Sequence, residues 1–211
     1  MGGVVTLKNK LIILLIGKSS VGKDTLLNNL LRDEDVKRAS GCSLHKAVSH
    51  TTRPMRTGEI QNKDYHFVEP YVFESMKNND QFIETTSYEI KSENRVYNYG
   101  MSRKEIEDNE VVITIVNPYG LAEFLKSEYA PNVVSILIDR DLRECCMSYL
   151  QRDKNANPYA LAERILRDRD DFDPLIASEG VVDYHVQNDN YIRGYEQLKR
   201  IVMEELGDIV N

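Results

Sequence analysis

Short, almost continuous runs of apolar residues mark the strands that this chain is expected to form. Runs of about six such residues are typical of strands buried on both faces of a parallel sheet. The clearest runs lie at residues 11–16, 111–116 and 133–138, and a further short strand is indicated at 181–186. Helical patterns follow at 22–32, 119–129, 141–151 and 191–206, and Asn157 with Pro158 predicts a further helix start. Strands that alternate with helices predict an α/β fold in three layers around a parallel central sheet.

The stretch from residue 44 to residue 104 interrupts this alternation. It is rich in threonine, tyrosine, arginine, asparagine and glutamate, and its apolar pieces are short. We therefore predict a small mixed subdomain, inserted between core segments 1–43 and 105–211 and lying outside the main sheet. No internal repeat or low-complexity tract indicates a second domain.

Composition excludes several classes of partner. The net charge is −7, with 34 acidic and 27 basic residues, so no basic surplus is available to neutralise a nucleic-acid backbone. No apolar run is long enough to cross a membrane. The 3 cysteines have neither the spacing of a metal site nor a disulfide framework, which favours a reducing compartment. We expect a cytoplasmic protein with no nucleic-acid or membrane partner; the sequence leaves its oligomeric state open.

The first apolar run leads directly into a glycine-bearing loop that opens the first helix. A strand, such a loop and a helix start, in that order, are the setting of a phosphate-binding loop. Gly17 provides conformational freedom, Gly22 lets the main chain approach a ligand, and Lys23 would reach the β- and γ-phosphates of a nucleotide. The alternative is a strand-to-helix turn with chance glycines. The predicted ATP-binding residues here are Gly17, Ser19, Ser20, Val21, Gly22, Lys23, Asp24 and Thr25.

One position in the loop departs from the usual pattern of glycine, four residues, glycine, lysine and then serine or threonine. Asp24 stands where that hydroxyl normally meets Mg²⁺, and Thr25 follows one place later. A carboxylate is a hard oxygen ligand for Mg²⁺, and its charge is tolerable beside phosphates when the metal lies between them. Asp24 is therefore the candidate metal ligand.

A second cluster of anion-binding side chains lies in the inserted region. Arg53 and Arg56 are three residues apart and are flanked by the hydroxyl groups of Ser49 and Tyr65. Guanidinium groups suit phosphate oxygens because they donate in a planar fork. The same residues could instead form a surface ion-pair patch with Glu59 and Asp64, and composition alone does not separate the two possibilities.

The order of residues in and beyond this cluster resembles the nucleoside-monophosphate-binding signature of guanylate kinases. The matching residues are Ser49, Thr51, Thr52, Arg53, Arg56, Gly58, Glu59, Asp64, Tyr65 and Phe67. Further family markers follow as Phe82-Ile83-Glu84, Tyr99-Gly100, lid arginines Arg152 and Arg164, and Asn188-Asp189. The similarity covers residues 11–206, so the chain is expected to be one guanylate-kinase-like domain with a lid at about 152–169.

The resemblance implies a three-layer P-loop NTPase fold with a nucleoside-monophosphate-binding insertion. It also implies transfer of the γ-phosphate of ATP, with Mg²⁺, to GMP or dGMP. Glu84 would accept hydrogen bonds from the guanine N1–H and 2-amino groups, and Asn188 would lie near the adenine of ATP. Lys23, Arg152 and Arg164 would neutralise charge on the transferred group. The acceptor-binding residues would be Ser49, Arg53, Arg56, Tyr65, Glu84, Tyr99, Gly100 and Asn117.

Several positions depart from the family pattern. Met101 stands where the family has a serine or threonine that donates to the guanine O6, and Ser102 comes one place later. Asn117 replaces an aspartate, and the link at 85–98 is long. Arg167 lies on the same helix face as Arg164 and is an alternative lid arginine. The alternatives are a kinase for another nucleoside monophosphate or a phosphorylated sugar, a non-catalytic phosphopeptide-binding domain of this fold, and a regulatory ATPase.

Overall fold

The computed structural model describes residues 10–41, 44–56, 58–90, 95–152, 158–178 and 180–210. Its strands are β1 (Leu11–Ile16), β2 (Leu44–Lys46), β3 (His50–Thr51), β4 (His66–Phe67), β5 (Phe82–Ile90), β6 (Arg95–Ser102), β7 (Val111–Ile115), β8 (Val133–Asp139) and β9 (Tyr184–Gln187). Its helices are α1 (Lys23–Leu30), α2 (Glu34–Ala39), α3 (Pro70–Asn78), α4 (Arg103–Glu107), α5 (Pro118–Lys126), α6 (Leu142–Arg152), α7 (Pro158–Ile176) and α8 (Tyr191–Val210).

The core is a five-stranded parallel sheet in the order β2-β7-β1-β8-β9. All six residues of the central strand β1 are buried, which explains its continuous apolar run. Because side chains alternate along a strand, Ile13 and Leu15 pack with α1 and α8 on one face. Ile12 and Leu14 pack with α5 and α7 on the other face. The predicted α/β class, with helices on both faces of a parallel sheet, is confirmed.

The edge strand β2 belongs to the core sheet. Leu44, His45 and Lys46 pair in parallel with Val111, Val112 and Ile113. The sequence assigned these residues to the insertion, so the core extends further along the chain than expected, at least to Lys46. The difference has a physical reason: a three-residue edge strand with two polar members has no apolar run, and only its pairing with β7 identifies it.

Residues beyond β2 form a second, four-stranded sheet in the order β4-β3-β6-β5. Strands β3 and β4 run parallel to each other, whereas β6 is antiparallel to both β3 and β5. A register shift between Phe82 and Glu84 marks a bulge in the long β5–β6 hairpin. This sheet carries the residues of the second predicted anion cluster along one side of the core.

A single carboxylate joins the two sheets. Glu105 on α4 lies 3.1 Å from His45 Nε2 of β2 and 2.9 Å from His66 Nε2 of β4, and it accepts from the Val48 N–H at 3.0 Å. The side chain is partly buried, and its hydrogen bonds, led by that from the Val48 N–H, outweigh desolvation and lower its pKa. Among the helices of the described ranges, none is both long and apolar enough to span a bilayer.

Candidate active site

The phosphate loop connects β1 to α1, and two of its glycines are required by their surroundings. A Cβ on Gly17 would lie 2.4 Å from the carbonyl oxygen of Ile138. Gly22 has a φ of 100°, and a Cβ there would lie 2.6 Å from Nδ2 of Asn188. Ser20 also has a positive φ of 62°. The loop is thus held in a conformation that other sequences would not adopt without strain.

Lys23 folds back over this loop. Its Nζ donates to the carbonyl oxygens of Gly17 at 2.6 Å and Lys18 at 2.8 Å. Burial lowers the pKa of the Lys23 ammonium group to about 8, while the charges of Asp24 and Asp168 oppose that shift. A cation placed here and only partly paired is positioned to bind phosphate oxygens.

Helix α7 contacts the loop through two carboxylates. Asp168 Oδ2 accepts from the Ser19 N–H at 2.6 Å, and Asp168 Oδ1 accepts from the Ser19 hydroxyl at 3.2 Å. Asp173 pairs with Lys18 at 3.0 Å. The Asp168 carboxylate is therefore hydrogen-bonded to the Ser19 N–H, a main-chain donor of the kind that binds phosphate in such loops. The sequence did not indicate Asp168, because it lies 149 residues from Ser19 and no local pattern connects them.

Arg53 lies in the loop that follows β3, where it is buried and paired with Glu59. Its two terminal nitrogens each donate to the carboxylate of Glu59 at 2.6 Å, and one also donates to the carbonyl oxygen of Pro54 at 3.0 Å. The guanidinium group lies over the rings of Tyr65 and Phe67 at 4.9 Å and 5.2 Å. These bonds use three of the five N–H donors of an arginine, so two have no partner among the residues that the structure describes.

Of the surface ion-pair patch that the sequence left open as an alternative, the described part of the structure contains the pair with Glu59 but not one with Asp64. Glu59 pairs with Arg53, and this hydrogen bond lowers the pKa of the Glu59 carboxyl to about 2. Asp64 instead accepts from the Ile60 N–H at 2.8 Å and fixes the turn. Because Arg53 still lines an open cavity, its pairing orients the guanidinium group without enclosing it.

Glu84 lies on β5 at the other end of this cavity. Its Oε1 accepts from the Met101 N–H at 2.9 Å, and its Oε2 accepts from the Thr86 hydroxyl at 3.4 Å. Burial outweighs both bonds and raises the pKa of the Glu84 carboxyl to about 7. Since side chains alternate along a strand, Glu84, Thr86 and Tyr88 point to the same side of β5 and line the same cavity.

Asn117 caps α5 and also contacts β5. Its Oδ1 accepts from the Gly120 N–H at 2.7 Å. Its Nδ2 donates to the Tyr88 hydroxyl at 2.8 Å and to Thr86 Oγ1 at 3.3 Å. The carboxamide is therefore held at both ends, which fixes the position of the Tyr88 hydroxyl relative to the core sheet.

One cavity of about 390 Å³ brings together most of the residues predicted from the sequence. From the phosphate-loop side and α7 come Gly17, Ser19, Lys23 and Arg164. From the second sheet and the loops around it come Ser49, Arg53, Arg56 and Tyr65. The far end is lined by Glu84, Tyr99 and Asn117. Thr86, Tyr88 and Tyr97 of the long link at 85–98 also line it, as do Asp168, Asp171 and the alternative lid arginine Arg167.

Other predicted residues lie outside this cavity. Ser20 lines a second cavity of about 260 Å³ between the loop, α6 and α7, which shares Ser19, Arg164 and Asp168 with the first. Val21 is buried beneath the loop, whereas Asp24 and Thr25 are exposed at the start of α1. Arg152 ends α6, and its side chain lies outside the part of the chain that the structure describes, as does Asn157.

Two predicted contact residues also have contacts within the protein. Asn188 is buried, and its Nδ2 donates to the carbonyl oxygen of Val21 at 2.6 Å, so it supports the loop from behind. Gly100 packs against β5: a Cβ there would lie 3.0 Å from both the Glu84 carbonyl oxygen and a ring carbon of Phe82. Gly100 therefore allows the hairpin to close around Glu84.

The fold and this site define a class. A glycine-bearing loop between a central parallel strand and a helix, with a lysine directed over the loop, is the arrangement of P-loop nucleotide-binding proteins. A second cationic group, Arg53 with Arg56, faces the same cavity from a separate sheet. Such an arrangement suits two anionic ligands whose phosphates meet in one space.

Comparison with known proteins gives the family. The family model described as guanylate kinase matches residues 8–205, and the chain belongs to this family. The guanylate kinase of Schizosaccharomyces pombe is 30% identical over 206 residues, covering 96% of this chain and 94% of that protein. That of Caulobacter vibrioides is 27% identical over 216 residues, covering 95% of this chain and 92% of its own length.

A solved structure supports the fold. The crystal structure of guanylate kinase from Anaplasma phagocytophilum aligns with a TM-score of 0.64 at 23% identity. The alignment covers 94% of this chain and 87% of that chain. The three-layer architecture with its parallel central sheet is therefore shared along nearly the whole length.

Proposed function

We propose that this protein transfers the γ-phosphate of ATP to GMP or dGMP. Membership of the guanylate kinase family supports this activity. The observation that carries the proposal is that Lys23, Arg53 and Arg56 line a single cavity. Phosphoryl transfer needs the donor and acceptor phosphates in line, with positive charge around them, and little further chemistry from the protein.

On the donor side, the loop amides and Lys23 are assigned to the triphosphate. The Lys23 ammonium group lies at the loop, where it donates to the carbonyl oxygens of Gly17 and Lys18, and its compact charge suits phosphate oxygens there. Arg164 lies on α7 and faces both cavities beside the loop. We assign it, together with Arg152, to the charge that develops on the transferred group.

On the acceptor side, Ser49, Arg53, Arg56 and Tyr65 are assigned to the phosphate of the nucleoside monophosphate. The two N–H groups that Arg53 does not use for Glu59 and Pro54 are available to phosphate oxygens. At the far end of the cavity, Glu84 is assigned to the base. A buried carboxylate discriminates strongly because a base that offers it no N–H leaves its oxygens unpaired.

The residues near the loop suit Mg²⁺. The Asp24 carboxylate is exposed in the first turn of α1, and the described residues form no hydrogen bond or ion pair with it. A free hard-oxygen donor beside a phosphate loop fits this ion, so we assign Asp24 as its protein ligand. When bound, Mg²⁺ neutralises negative charge on the β- and γ-phosphates.

A second candidate function is phosphorylation of a different nucleoside monophosphate. The observation that favours it is the burial of Met101, whose side chain packs in the core and offers no hydrogen-bond donor to a base. Ser102 does not substitute, because it is buried, caps α4 and does not line the cavity. Base selection therefore depends on other residues of the cavity.

The deciding experiment is a panel of ribo- and deoxyribonucleoside monophosphates, with a phosphorylated sugar included, assayed by ADP release in the presence of ATP and Mg²⁺. We expect GMP and dGMP to give the highest kcat/KM and no ADP release without an acceptor. ADP release that is independent of acceptor would indicate an ATPase. Binding of a phosphopeptide without ATP affinity would indicate a scaffold domain and would overturn the proposal.

We also propose that the reaction takes place in the cytoplasm. Cys145 is buried and Cys146 partly buried, and both are free thiols in the described part of the chain. Unpaired cysteines of this kind are stable where the surroundings are reducing.

A further inference from the structure

Base recognition needs a hydrogen-bond donor as well as the acceptor that Glu84 provides. The residue that follows Tyr99 and Gly100 does not supply one, because Met101 is 0% exposed and packs among core residues such as Ile12 and Val112. Thr86 and Tyr88 of β5 and Asn117 at the start of α5 line the same cavity as Glu84 and carry hydrogen-bonding groups.

Two of these groups are already committed to the protein. Both hydrogens of the Asn117 amide are donated, one to Tyr88 and one to Thr86, and its oxygen accepts from Gly120. The Thr86 hydroxyl accepts from Asn117 and donates its only hydrogen to Glu84. Neither residue has a hydrogen left for a ligand.

Tyr88 is different. Its hydroxyl oxygen accepts from Asn117 at 2.8 Å, and within the described part of the chain no acceptor is present for its own hydrogen. The ring is held in place by an edge contact with Tyr99 at 5.5 Å and by the Arg167 guanidinium group at 5.5 Å. Tyr88 thus presents a fixed, unused O–H donor, linked to Glu84 through Asn117 and Thr86.

We propose that Tyr88 is a specificity-determining residue that recognises the acceptor base by donating a hydrogen bond to the 6-carbonyl oxygen of a purine. The proposal rests on the function proposed above and names the acceptor class: 6-oxopurine nucleoside monophosphates. In these bases a carbonyl oxygen lies beside an N1–H, which matches a donor at Tyr88 and an acceptor at Glu84. A 6-aminopurine presents the reverse pattern, an amino group beside an N1 acceptor, so both protein groups would be left unpaired.

Tyr88 lies in the long segment 85–98, which departs from the family pattern and forms most of the β5–β6 hairpin. Its hydroxyl is bonded by Asn117 from the core, and its ring contacts Tyr99 of the paired strand and Arg167 of α7. A hydroxyl held from three sides loses little freedom when a ligand binds, which increases its selectivity.

The test compares wild type with Tyr88→Phe, which removes only the hydroxyl group. Binding of GMP, IMP and AMP is measured by titration calorimetry at pH 8, where the Glu84 carboxyl, with a pKa of about 7, is mostly ionised. We expect Tyr88→Phe to weaken the binding of GMP and of IMP equally, by about tenfold or more. The affinity for AMP should be unchanged or slightly higher. IMP is included because it has the 6-carbonyl and lacks the 2-amino group. The matched control is Tyr71→Phe, a tyrosine on α3 that is 74% exposed and should change none of the three.

Equal weakening of all three nucleotides would assign Tyr88 to packing and would overturn the proposal, as would no change in any of them. Asn117→Asp is the second variant: it retains an oxygen to cap α5 but cannot donate to Tyr88, whose hydrogen would turn to the new carboxylate. This variant should show the same selective loss of affinity for GMP and IMP. An undiminished preference for these nucleotides over AMP would contradict the proposal. Absence of phosphoryl transfer to every acceptor in wild type would refute the proposed function instead, because these binding measurements do not depend on turnover.

Discussion

Glu84 shows how burial prepares a single residue for base recognition. Among the described residues the carboxyl accepts two hydrogen bonds, from Met101 and Thr86, and desolvation raises its pKa to about 7. A base that donates N–H groups to Glu84 favours the ionised form. Ligand binding and ionisation are therefore coupled near neutral pH.

This coupling predicts a pH-dependent affinity for GMP. Below about pH 7 the Glu84 carboxyl is protonated in the free protein, so affinity should rise with pH and level off above that value. The phosphate of GMP also titrates, near pH 6, so wild type must be compared with Glu84→Gln, which keeps the phosphate titration. We expect the affinity advantage of wild type over Glu84→Gln, measured from pH 5.5 to 8.5, to shrink as the pH falls through 7. An advantage that stays constant across this range would show that Glu84 does not bind the base as an anion.

The residues that sequence predicted best are those whose chemistry is local. Gly17 and Lys23 are identified by their order between a strand and a helix, and Arg53 by its spacing from Arg56. Asn188 and Asp168 act on the loop from β9 and α7, elements distant in sequence, so no local pattern shows their contacts. The sequence also does not show which hydroxyl group in the cavity keeps a free hydrogen. That depends on the hydrogen bonds of neighbouring side chains, which are known only from the folded structure.

Among the elements, α7 has the most direct relation to the phosphate loop. Asp168 places a negative charge on the Ser19 N–H, where phosphate oxygens are expected, and Arg164 lies one turn earlier on the same helix. ATP must therefore displace a carboxylate before the loop amide becomes available. The displaced Asp168 would then lie near like charge unless α7 moves.

Asp168→Asn should consequently strengthen ATP binding. The neutral carboxamide would hold Ser19 by a weaker hydrogen bond, and the substitution removes a negative charge that repels phosphate. We expect the Kd for ATP, measured by calorimetry without acceptor, to fall about threefold to tenfold. Asp170→Asn is the control: it removes the same charge from an exposed position that pairs with Arg169 and does not contact the loop. If both substitutions shift the Kd equally, the effect is general electrostatics and not displacement of Asp168.

Helix α4 fixes the second sheet to the core through Glu105. Glu105→Gln should lower the free energy of unfolding by about 1–3 kcal/mol, because a partly buried set of hydrogen bonds to His45, His66 and the Val48 N–H loses its charged acceptor. Urea unfolding at pH 7 measures this, with the exposed Glu110→Gln as control. Because the folded pKa of Glu105 is lowered, its contribution is complete above the unfolded value and is lost as pH falls through the folded one. A difference between the variants that does not shrink as the pH is lowered through the acidic range would contradict this origin.

The core elements were predictable because burial on both faces requires continuous apolar runs. Strands β1, β7 and β8 were located to within a residue at each end. Strand β9 begins three residues later than expected, at Tyr184, because Asp183 bonds to Ser135 and does not continue the apolar run. The two-residue strands β3 and β4 are too short to produce a periodic signal and are defined by their pairing.

In the whole molecule, the cavity is divided between two sheets, and this division predicts separable kinetic effects. Arg53→Ala should raise the KM for GMP at least tenfold, by losing charge-assisted bonds to its phosphate, with less than a twofold change in the KM for ATP. Steady-state kinetics with each substrate varied in turn measures both. Arg38→Ala, at an exposed site on α2, serves as control. An equal rise in both KM values would show that the two sheets do not bind the two substrates separately.

The order of strands in the core sheet also affects how the protein is made. Strand β1 is the centre of the sheet, and both of its neighbours, Val111–Ile115 and Val133–Asp139, follow the entire insertion. During translation, this fully apolar segment leaves the ribosome long before either partner has been synthesised. Contacts this distant in sequence slow folding and leave apolar surface exposed until they form. We therefore expect the apolar segment β1 to stay unpaired in the nascent chain until β7 and β8 emerge.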